Sequence, residues 1–376
     1  MLFRSNDTAT TGLFVLAVPR KFVTPSTQQW NLTLQRDLGK QWVLEVGYVG
    51  THAVHLRDTR TDLTAKLATP QNPIMVTDAT GHSYAITTNT LANAPMRTPI
   101  PAINGYSGFQ VFDNDAYSHY HSLQTTVSRR WNHGYFQGSY TFSKSTDATS
   151  SGNTALNTAF NDESDLKNSR GLSDFDRPHR LAVSYRYDLP FFSSSTGLVH
   201  TFAGGWAISG ITIIQSGTPF SVFDATAGTA FISPGDAPPV TATLAPGATI
   251  GSGYTHGSIH ERLNGYLNIN NFQHAALLYP AQCAVDPNFC TTAFGNIGRN
   301  TYRGPYQQNW DFSLLKNFQL TERFTLRFTT DFFNIWNHAN FANPSLTDIG
   351  AGPAFGQIFS TVGTPRLIQF SLRLAF

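Results

Sequence analysis

Two histidines, His119 and His121, stand at the spacing at which a β-strand presents both side chains on one face. A pair of imidazoles in that arrangement could hold a metal ion such as zinc. No third histidine stands near them in sequence, and their face of the strand is the apolar one. We therefore expect the pair to behave like aromatic interface residues, and the sequence predicts no metal site and no cofactor.

A second chemical feature is a group of carboxylates between residues 162 and 176, which could bind calcium or a cationic ligand. Its members are Asp162, Glu163, Asp165, Asp174 and Asp176. The ligand order of an EF-hand loop is missing, so a solvated acidic loop is the expected interpretation. The motif that follows, Phe175-Asp-Arg-Pro-His-Arg180, places Pro178 at a strand entry, where a missing N–H is harmless. We interpret this motif as structural and not as catalytic.

No catalytic motif is found elsewhere in the chain. A glycine-rich phosphate loop, a nucleophile elbow and a His-Glu-x-x-His helix are all missing from the sequence. The sequence therefore predicts no enzyme and no catalytic residue. The long segment 224–308 offers side chains that could contact a ligand, which we state as a hypothesis. These are Tyr254, His256, His260, Tyr266 and Tyr279.

The same segment contains both cysteines, Cys283 and Cys290, within a loop rich in Pro and Asn. A disulfide that closes this small loop is expected in an oxidising compartment, and two free thiols are the alternative.

Composition narrows the class of protein. Charged residues make up 13% of the 376 residues and aromatic residues another 13%. The charged share is about half that of a soluble globular protein. Apolar runs such as 13–18 reach about a third of a helical membrane span. This profile is typical of a transmembrane β-barrel, in which lipid-facing and lumen-facing residues alternate. A net charge of +2 argues against a nucleic-acid partner.

Period-2 patterning predicts nine strands. They span 28–36, 41–50, 119–131, 134–144, 179–189, 205–223, 309–317, 323–336 and 366–376, and a further strand is considered at 13–19. Connections alternate strictly between short and long. The short ones are 37–40, 132–133, 190–204 and 318–322, and the long ones are 51–118, 145–178, 224–308 and 337–365. Successive connections of an up-and-down barrel lie on opposite sides of the membrane, with short turns in the periplasm. The sequence thus predicts an all-β, antiparallel transmembrane barrel of about nine or ten strands, with long extracellular loops.

The two faces of these strands differ. One face is apolar, as in Leu181, Val183 and Tyr185, and we expect it to contact outer-membrane lipid. The charged residues of the opposite face are expected to line the lumen. These are Glu45, Arg130, Arg180, Arg186, Asp188, Asp311, Arg327, Asp331 and Arg373. Three cations in the outward phase, Arg36, Arg129 and Lys316, stand at periplasmic strand ends, where they could extend to water. A soluble carbohydrate-binding β-sandwich, the alternative fold, predicts no such sorting.

Several segments resemble the barrel of TonB-dependent outer-membrane receptors of the Oar-like type. The matching segments are Gln29-Trp-Asn-Leu-Thr-Leu-Gln-Arg-Asp-Leu-Gly39, Leu44-Glu-Val-Gly-Tyr-Val-Gly50, Phe175-Asp-Arg-Pro-His-Arg180, Gly205-Trp-Ala-Ile-Ser-Gly210, Ser216-Gly-Thr-Pro-Phe220 and Asp331-Phe-Phe-Asn-Ile-Trp-Asn-His-Ala-Asn-Phe341. The resemblance runs from about Gln28 to Phe376. It implies a transporter whose extracellular loops bind a ligand and whose plug domain responds to TonB.

The resemblance also implies an assembly signal at the end of the chain, read by the barrel-assembly machinery. Its residues would be Phe370, Leu372, Leu374 and Phe376. No plug domain, carboxypeptidase-regulatory-like domain or TonB box precedes Gln28. The expectation is therefore that residues 1–376 are the carboxy-terminal barrel portion of such a receptor, which meets the TonB complex only through a plug that this chain does not carry.

Two matters stay open at this stage. Siderophore, oligosaccharide and peptide are all candidates for the ligand. The alternative function is that of an autonomous small outer-membrane barrel, acting as an adhesin or a structural protein without transport.

Overall fold

The dominant element of the fold is an antiparallel sheet of nine long strands, which we call the wall. The computed structural model describes residues 14–18, 22–60, 64–78, 80–98, 108–150, 160–163, 165–192, 197–231, 240–321 and 323–376. The wall strands are β1 (Ser26–Gly39), β2 (Trp42–Arg60), β3 (Gly108–Trp131), β4 (Gly134–Asp147), β5 (His179–Asp188), β6 (Trp206–Gln215), β7 (Gln307–Gln319), β8 (Thr325–Phe333) and β9 (Leu367–Ala375). Each strand pairs antiparallel with its neighbours in sequence, so the predicted meander is confirmed.

The alternation of short and long connections is confirmed as well. Because neighbouring strands are antiparallel, the four short connections lie at one end of the wall, the turn end, and the four long ones at the other, the loop end. In the β1–β2 turn, Gly39, Lys40 and Gln41 all adopt positive φ. The Asp37 carboxylate accepts a hydrogen bond of 2.7 Å from the Gly39 N–H. This local chemistry fixes the register of the first hairpin.

Short elements surround the wall. Two-residue and four-residue strands lie at Phe14–Ala17, Ile74–Thr77, Ser83–Ile86, Gly171–Leu172, Pro219–Phe220, Thr243–Leu244, Phe272–Gln273 and Tyr302–Arg303. The α-helices are Leu166–Ser169, Gly197–Ala203, Ile259–Asn264 and Pro280–Cys283, and the 3₁₀ helices are Ala94–Arg97, Gly251–Gly253, Ile269–Asn271, Pro287–Phe289 and Ile349–Ala354. In the part of the chain that is described, no helix has the length and apolar character needed to span a membrane.

The strand considered at 13–19 is present as Phe14–Ala17, but it pairs with Gly108–Val111 of β3 in parallel. It therefore does not extend the antiparallel meander. Strands β2 and β3 also continue past the predicted ends, as far as Arg60 and from Gly108. Register shifts between Ala53 and Asp58 interrupt the period-2 pattern there, and these bulges hide the extension from a periodicity argument.

The predicted strand 205–223 is too long, because β6 ends at Gln215. At Gly217 the backbone passes close to the segment just before β7. A Cβ at this position would lie 2.1 Å from the Gly304 carbonyl oxygen. Pro219 then lacks the N–H that a central wall strand needs. The chain leaves the wall at this point, and Pro219–Phe220 pairs with Tyr302–Arg303 instead.

The hydrophobic core of the molecule lies at the loop end and not in the wall. We call the described residues 64–78, 80–98, 160–163, 165–176, 216–231, 240–306 and 337–365 the loop layer. The main buried cluster comes entirely from this layer and consists of Phe220, Val222, Ala242, Leu267, Phe272, Ile297, Tyr302, Ile349 and Phe355. The long segment 224–308 is thus a packed structure over its described residues.

Candidate ligand site on the polar face of the wall

The strand register assigns every wall residue to one of two faces. Residues directly opposite each other in a sheet share a face, so the pairs can be followed from β1 to β9. This register places all nine charged residues that the sequence assigns to the lumen on the same face. In β7 to β9, for example, Ser313 lies opposite Asp331, and Arg327 lies opposite Arg373.

The other face is apolar and open. Leu32, Leu34, Phe370 and Leu372 are each about two-thirds exposed, and the strands between carry further exposed aromatic and aliphatic side chains. Soluble monomers rarely expose contiguous apolar patches of more than a few hundred Å². A lipid environment removes this surface from water, so the apolar face is the one that lies against the membrane.

The cations that the sequence places on the apolar face at strand ends do not behave alike. The Arg129 guanidinium lies 5.3 Å from the ring centre of Trp42 and 5.2 Å from that of Trp131. Lys316 is only 1% exposed, so the prediction that it extends to water is wrong. Its ammonium group donates to the Gly204 carbonyl and lies 4.9 Å from the centre of the Phe318 ring. Aromatic rings and one carbonyl replace the water that the sequence argument assumed.

Local partners neutralise part of the polar face. Arg186 and Asp188 form an ion pair of 3.0 Å. Asp331 accepts a hydrogen bond from Ser313, and Arg327 donates one of 2.9 Å to Asn317. Asp311 accepts the Asn334 N–H at 3.0 Å. The remaining four predicted charges, Glu45, Arg130, Arg180 and Arg373, make neither an ion pair nor a side-chain hydrogen bond that is described. These four are the charges that remain available to a molecule in the lumen.

The acidic stretch binds arginines of the loop layer. Arg299 is buried; its Nε donates to the Ser169 carbonyl and its Nη2 to both the carbonyl and the carboxylate of Asp147. Asp174 lies 3.4 Å from Nη1 of the same guanidinium. For Asp174 and Asp176 the prediction of a solvated acidic loop is wrong, because both carboxylates bind arginines. Asp165 is exposed, as that prediction requires. Within the described ranges no group of three metal-ligating side chains comes together.

The second arginine of this network is Arg303, which binds the carboxylate of Asp176 at 2.6 Å and the Gly217 carbonyl at 2.9 Å. Asp176 is buried, and its other carboxylate oxygen accepts the backbone N–H of Ser145 at 2.6 Å. Both oxygens of this carboxylate are therefore occupied. The interaction fastens segment 240–306 to the loop ends of β4 and β5.

His119 and His121 lie on the apolar face among aromatic residues. The hydroxyl of Tyr48 and Nδ1 of His121 are 2.7 Å apart, and the rings of His52 and His119 have centres 4.4 Å apart. A similar contact joins Tyr140 and His179 at 2.7 Å. These histidines act as polar aromatic residues on the membrane face, each next to a tyrosine or another imidazole.

The tyrosines proposed as ligand contacts have packing roles. The Tyr254 hydroxyl accepts a hydrogen bond from the Arg303 N–H, and the Tyr266 hydroxyl donates one to the Arg303 carbonyl. Burial raises the pKa of Tyr266, and likewise that of Tyr302, to about 12. The side-chain amide of Asn89 donates a hydrogen bond of 2.8 Å to the Tyr279 hydroxyl. His256 and His260 are exposed and remain candidates for contact with a ligand.

Cys283 and Cys290 are joined by a disulfide that closes the small loop between helix Pro280–Cys283 and the end of the 3₁₀ helix Pro287–Phe289, so the predicted bridge is present. The bridge lies in the loop layer, away from the wall.

The polar face contains a cavity that lies between the loop ends of β4 and β5 and the middle of β3. It encloses about 360 Å³, and its lining includes Tyr120, Gln124, Thr141, Phe175, Arg177 and Arg180. Arg180 is one of the charged residues that the sequence assigns to the lumen, whereas the sequence pattern of the Phe175–Arg180 motif indicates only a structural role. The exposed Phe175 beside two arginines is the signal that could have indicated a site. A smaller cavity of about 180 Å³ lies in the loop layer between helix Ile259–Asn264 and the loop after β8.

A meander of antiparallel strands with a polar face and an exposed apolar face defines the wall of a transmembrane β-barrel. Residues 3–369 match the family model described as the outer membrane beta barrel domain, and the chain belongs to that family. The protein is therefore an outer-membrane protein, as the sequence predicted. Among proteins of curated function, none matches this chain.

Solved structures similar to this chain are outer-membrane transporters and receptors. The outer membrane transporter YddB from Escherichia coli aligns with a TM-score of 0.46 and 11% identity, over 98% of this chain and 35% of that one. The siderophore receptor PirA from Acinetobacter baumannii gives 0.37 and 7%, over 93% and 32%. The pyoverdine outer membrane receptor FpvA from Pseudomonas aeruginosa PAO1 gives 0.36 and 11%, over 94% and 30%. This chain spans about a third of the length of each of these structures.

Proposed function

We propose that the chain supplies part of the barrel wall and the extracellular loop layer of a TonB-dependent transporter that takes up a small ligand. The observation that carries this proposal is the direction of the terminal wall strands. Eight successive antiparallel pairings make β1 and β9 run the same way. An all-antiparallel cylinder that contains them needs an odd number of further strands between β9 and β1.

The exposure of the terminal strands supports the same conclusion. Every residue of β1 and every residue of β9 is exposed, on the polar face as well as on the apolar one. Among the described residues, the outer edges of both strands have no pairing partner. Lipid does not tolerate unpaired backbone groups, so we infer that other strands cover these edges in the membrane.

The polar face supports a partner in the lumen. Arg327 and Arg373 lie directly opposite each other, and like charges in that position destabilise a sheet. A carboxylate brought by a plug domain would neutralise them. In the transport cycle that we propose, the loop layer binds the ligand outside the cell. The ligand then passes through the lumen when TonB displaces the plug.

The alternative is an autonomous small barrel that acts as an adhesin or a structural protein. Such a barrel would have to join β9 to β1 in parallel, or supply one more antiparallel strand from outside the described residues. Transmembrane barrels of a single bacterial chain have an even number of antiparallel strands. We therefore favour the transporter.

The experiment is to isolate the outer-membrane species that contains this chain from its own host and identify its peptides. We expect plug and additional wall peptides in the same complex, and we expect a ligand in the medium to be depleted only by cells with functional TonB. A heat-modifiable species of 41.3 kDa without other wall peptides would contradict the transporter and support the small barrel.

A further inference from the structure

We propose that the 360 Å³ cavity on the polar face of β3, β4 and β5 is a binding subsite for a small aromatic carboxylate. The inference rests on the proposed function to this extent: the polar face is a lumen only if the wall is closed. It adds the chemical class of the ligand and the residues that would bind it.

The position of the cavity follows from the register. Gln124 of β3 lies opposite Thr141 of β4, Thr141 lies opposite Arg180 of β5, and Arg180 lies opposite Gln215 of β6. These side chains therefore share the polar face. Arg180 and Gln215 stand at the loop ends of β5 and β6, and Gln124 and Thr141 lie beside them in the middle of the longer strands β3 and β4. A ligand that enters the lumen from the loop end would meet Arg180 first.

Charge in the cavity is positive. Arg177, Arg180 and Arg303 are near enough to act on one another, and desolvation together with the charges of Arg180 and Arg303 lowers the pKa of Arg177. The one carboxylate in the lining, Asp176, has both oxygens occupied by Arg303 and the Ser145 N–H. Two guanidinium charges are therefore left without a counterion.

Of these two, Arg180 is the more accessible. The Arg177 guanidinium donates to the Ser216 carbonyl at 2.5 Å, which fixes its position. Arg180 is exposed and makes no ion pair with a described residue. A guanidinium presents two parallel N–H groups, which match the two oxygens of a carboxylate.

An aromatic surface completes the site. Phe175 is 66% exposed although it is a large apolar side chain next to a charged cluster. Tyr120 belongs to the same lining, and Gln124, Thr141 and Ser143 add neutral hydrogen-bonding groups. A ring that stacks on Phe175 while its carboxylate meets Arg180 would use both features.

The cavity is held rigidly by its backbone. Ser143 donates its N–H to the Pro178 carbonyl and its hydroxyl to the Arg177 carbonyl, both at 2.9 Å. The Ser216 N–H donates to the His179 carbonyl at 2.9 Å. The segment from Phe175 to Arg180 is thus fixed to β4 on one side and to the end of β6 on the other. A site fixed before binding loses little conformational entropy on binding.

The test measures binding of isophthalate, an aromatic dicarboxylate, by titration calorimetry to the full chain in detergent and to the complete receptor. Isophthalamide is the uncharged control ligand. We expect isophthalate to bind at least tenfold more tightly than isophthalamide. We expect Arg180→Gln to weaken isophthalate binding at least tenfold and Arg180→Lys to recover part of the loss. Lys40→Gln, which removes an exposed cation from the β1–β2 turn, should have no effect.

The aromatic contribution has its own variant. Phe175→Leu should weaken isophthalate binding severalfold and leave binding of glutarate, an aliphatic dicarboxylate, unchanged. Equal binding of isophthalate and isophthalamide, or unchanged binding in Arg180→Gln with intact heat-modifiable migration, would overturn the proposal. The proposal would also be overturned if isophthalate bound to the isolated chain but not to the complete receptor. A carboxylate of the plug domain would then be the natural occupant of the cavity.

These outcomes separate the subsite from the transporter. Uptake that depends on TonB together with a failure to bind isophthalate refutes the subsite and leaves the proposed function standing. Binding that depends on Arg180 in a barrel without TonB-dependent uptake refutes the function and leaves an anion subsite.

Discussion

The wall and the loop layer of this molecule are stabilised in opposite ways. The wall has long, regular strands, yet its two terminal strands are exposed on both faces, and its large apolar side chains point away from the protein. The loop layer has little regular structure, yet it contains the main hydrophobic cluster, a buried arginine network and a disulfide. The difference teaches that regular backbone pairing and a packed core are separate sources of stability. The wall depends on lipid and on neighbouring strands, and the loop layer depends on its own contacts.

The largest expected effect comes from removing the arginine that joins the two regions. Arg299→Ala leaves the buried Asp147 carboxylate without its counterion, which should destabilise the loop layer by about 3–5 kcal/mol. Limited proteolysis and hydrogen exchange should show an opened loop layer and an unchanged wall. The control is Arg262→Ala, since Arg262 is exposed and forms no ion pair among described residues. Equal protection of Arg299→Ala and wild type would show that the regions are not coupled at this point.

The next prediction affects the wall alone. Leu372→Arg puts a charge on the apolar face and should cost about 2–4 kcal/mol if the residue lies near the bilayer midplane. Ser371→Arg, one residue away on the polar face, is the matched control and should cost much less. The measurement is urea unfolding in lipid vesicles. Equal losses in the two variants would contradict the assignment of faces.

A pH effect is expected in the loop layer. Burial disfavours the charged form of Asp224, but hydrogen bonds from Thr226, His274 and Ala275 together lower the pKa of its carboxyl below the ordinary 3.8. A lowered folded-state pKa means that the stabilisation is complete above pH 3.8 and is lost as pH falls through the folded-state value. Asp224→Asn should cost about 1.5 kcal/mol at neutral pH. Acid titration followed by hydrogen exchange should then show a flatter profile for the variant; an unchanged profile would exclude this role for Asp224.

The smallest expected effect concerns the first turn of the wall. Gly39 has φ +83° and open space around its Cβ position, so the cost of Gly39→Ala is conformational only, about 1 kcal/mol. Lys40→Ala provides a comparison, since that position already has a side chain at positive φ. Refolding into vesicles measures both variants. A Gly39→Ala variant as stable as wild type would mean that lipid and neighbouring strands outweigh the turn.

The wall and the loop layer also differ in how much of their structure the sequence predicts. In the wall, period-2 alternation is local, so the strands, their faces and the order of connections could be predicted from residues a few positions apart. Bulges between Ala53 and Asp58 and the departure of the chain at Gly217 broke that local pattern, and the predicted strand ends failed there. The burial of Lys316 could not be predicted, because it depends on contacts with Gly204 and Phe318 that form only in the folded structure.

The loop layer could not be predicted in the same way. Its contacts join residues that no periodic pattern relates: Asn300 meets Asp174, and Arg303 meets Asp176, across more than a hundred positions. A carboxylate that binds a distant arginine looks the same in sequence as a solvated one. The candidate subsite was missed for this reason, since its charge balance depends on which arginine Asp176 neutralises.

The clamp formed by Arg299 has a consequence for the order of events during folding. Its guanidinium reaches back 152 residues to Asp147 and 130 residues to the Ser169 carbonyl. Four pairings of the wall close across short connections, whereas this clamp, like the pairing of β6 with β7, joins residues far apart in the chain. Closing a long loop costs more conformational entropy, so we expect the clamp to form late. Until then the partners of Arg299 stay open to proteases of the periplasm. We therefore expect the loop layer to become resistant to proteolysis only once this side chain is in place.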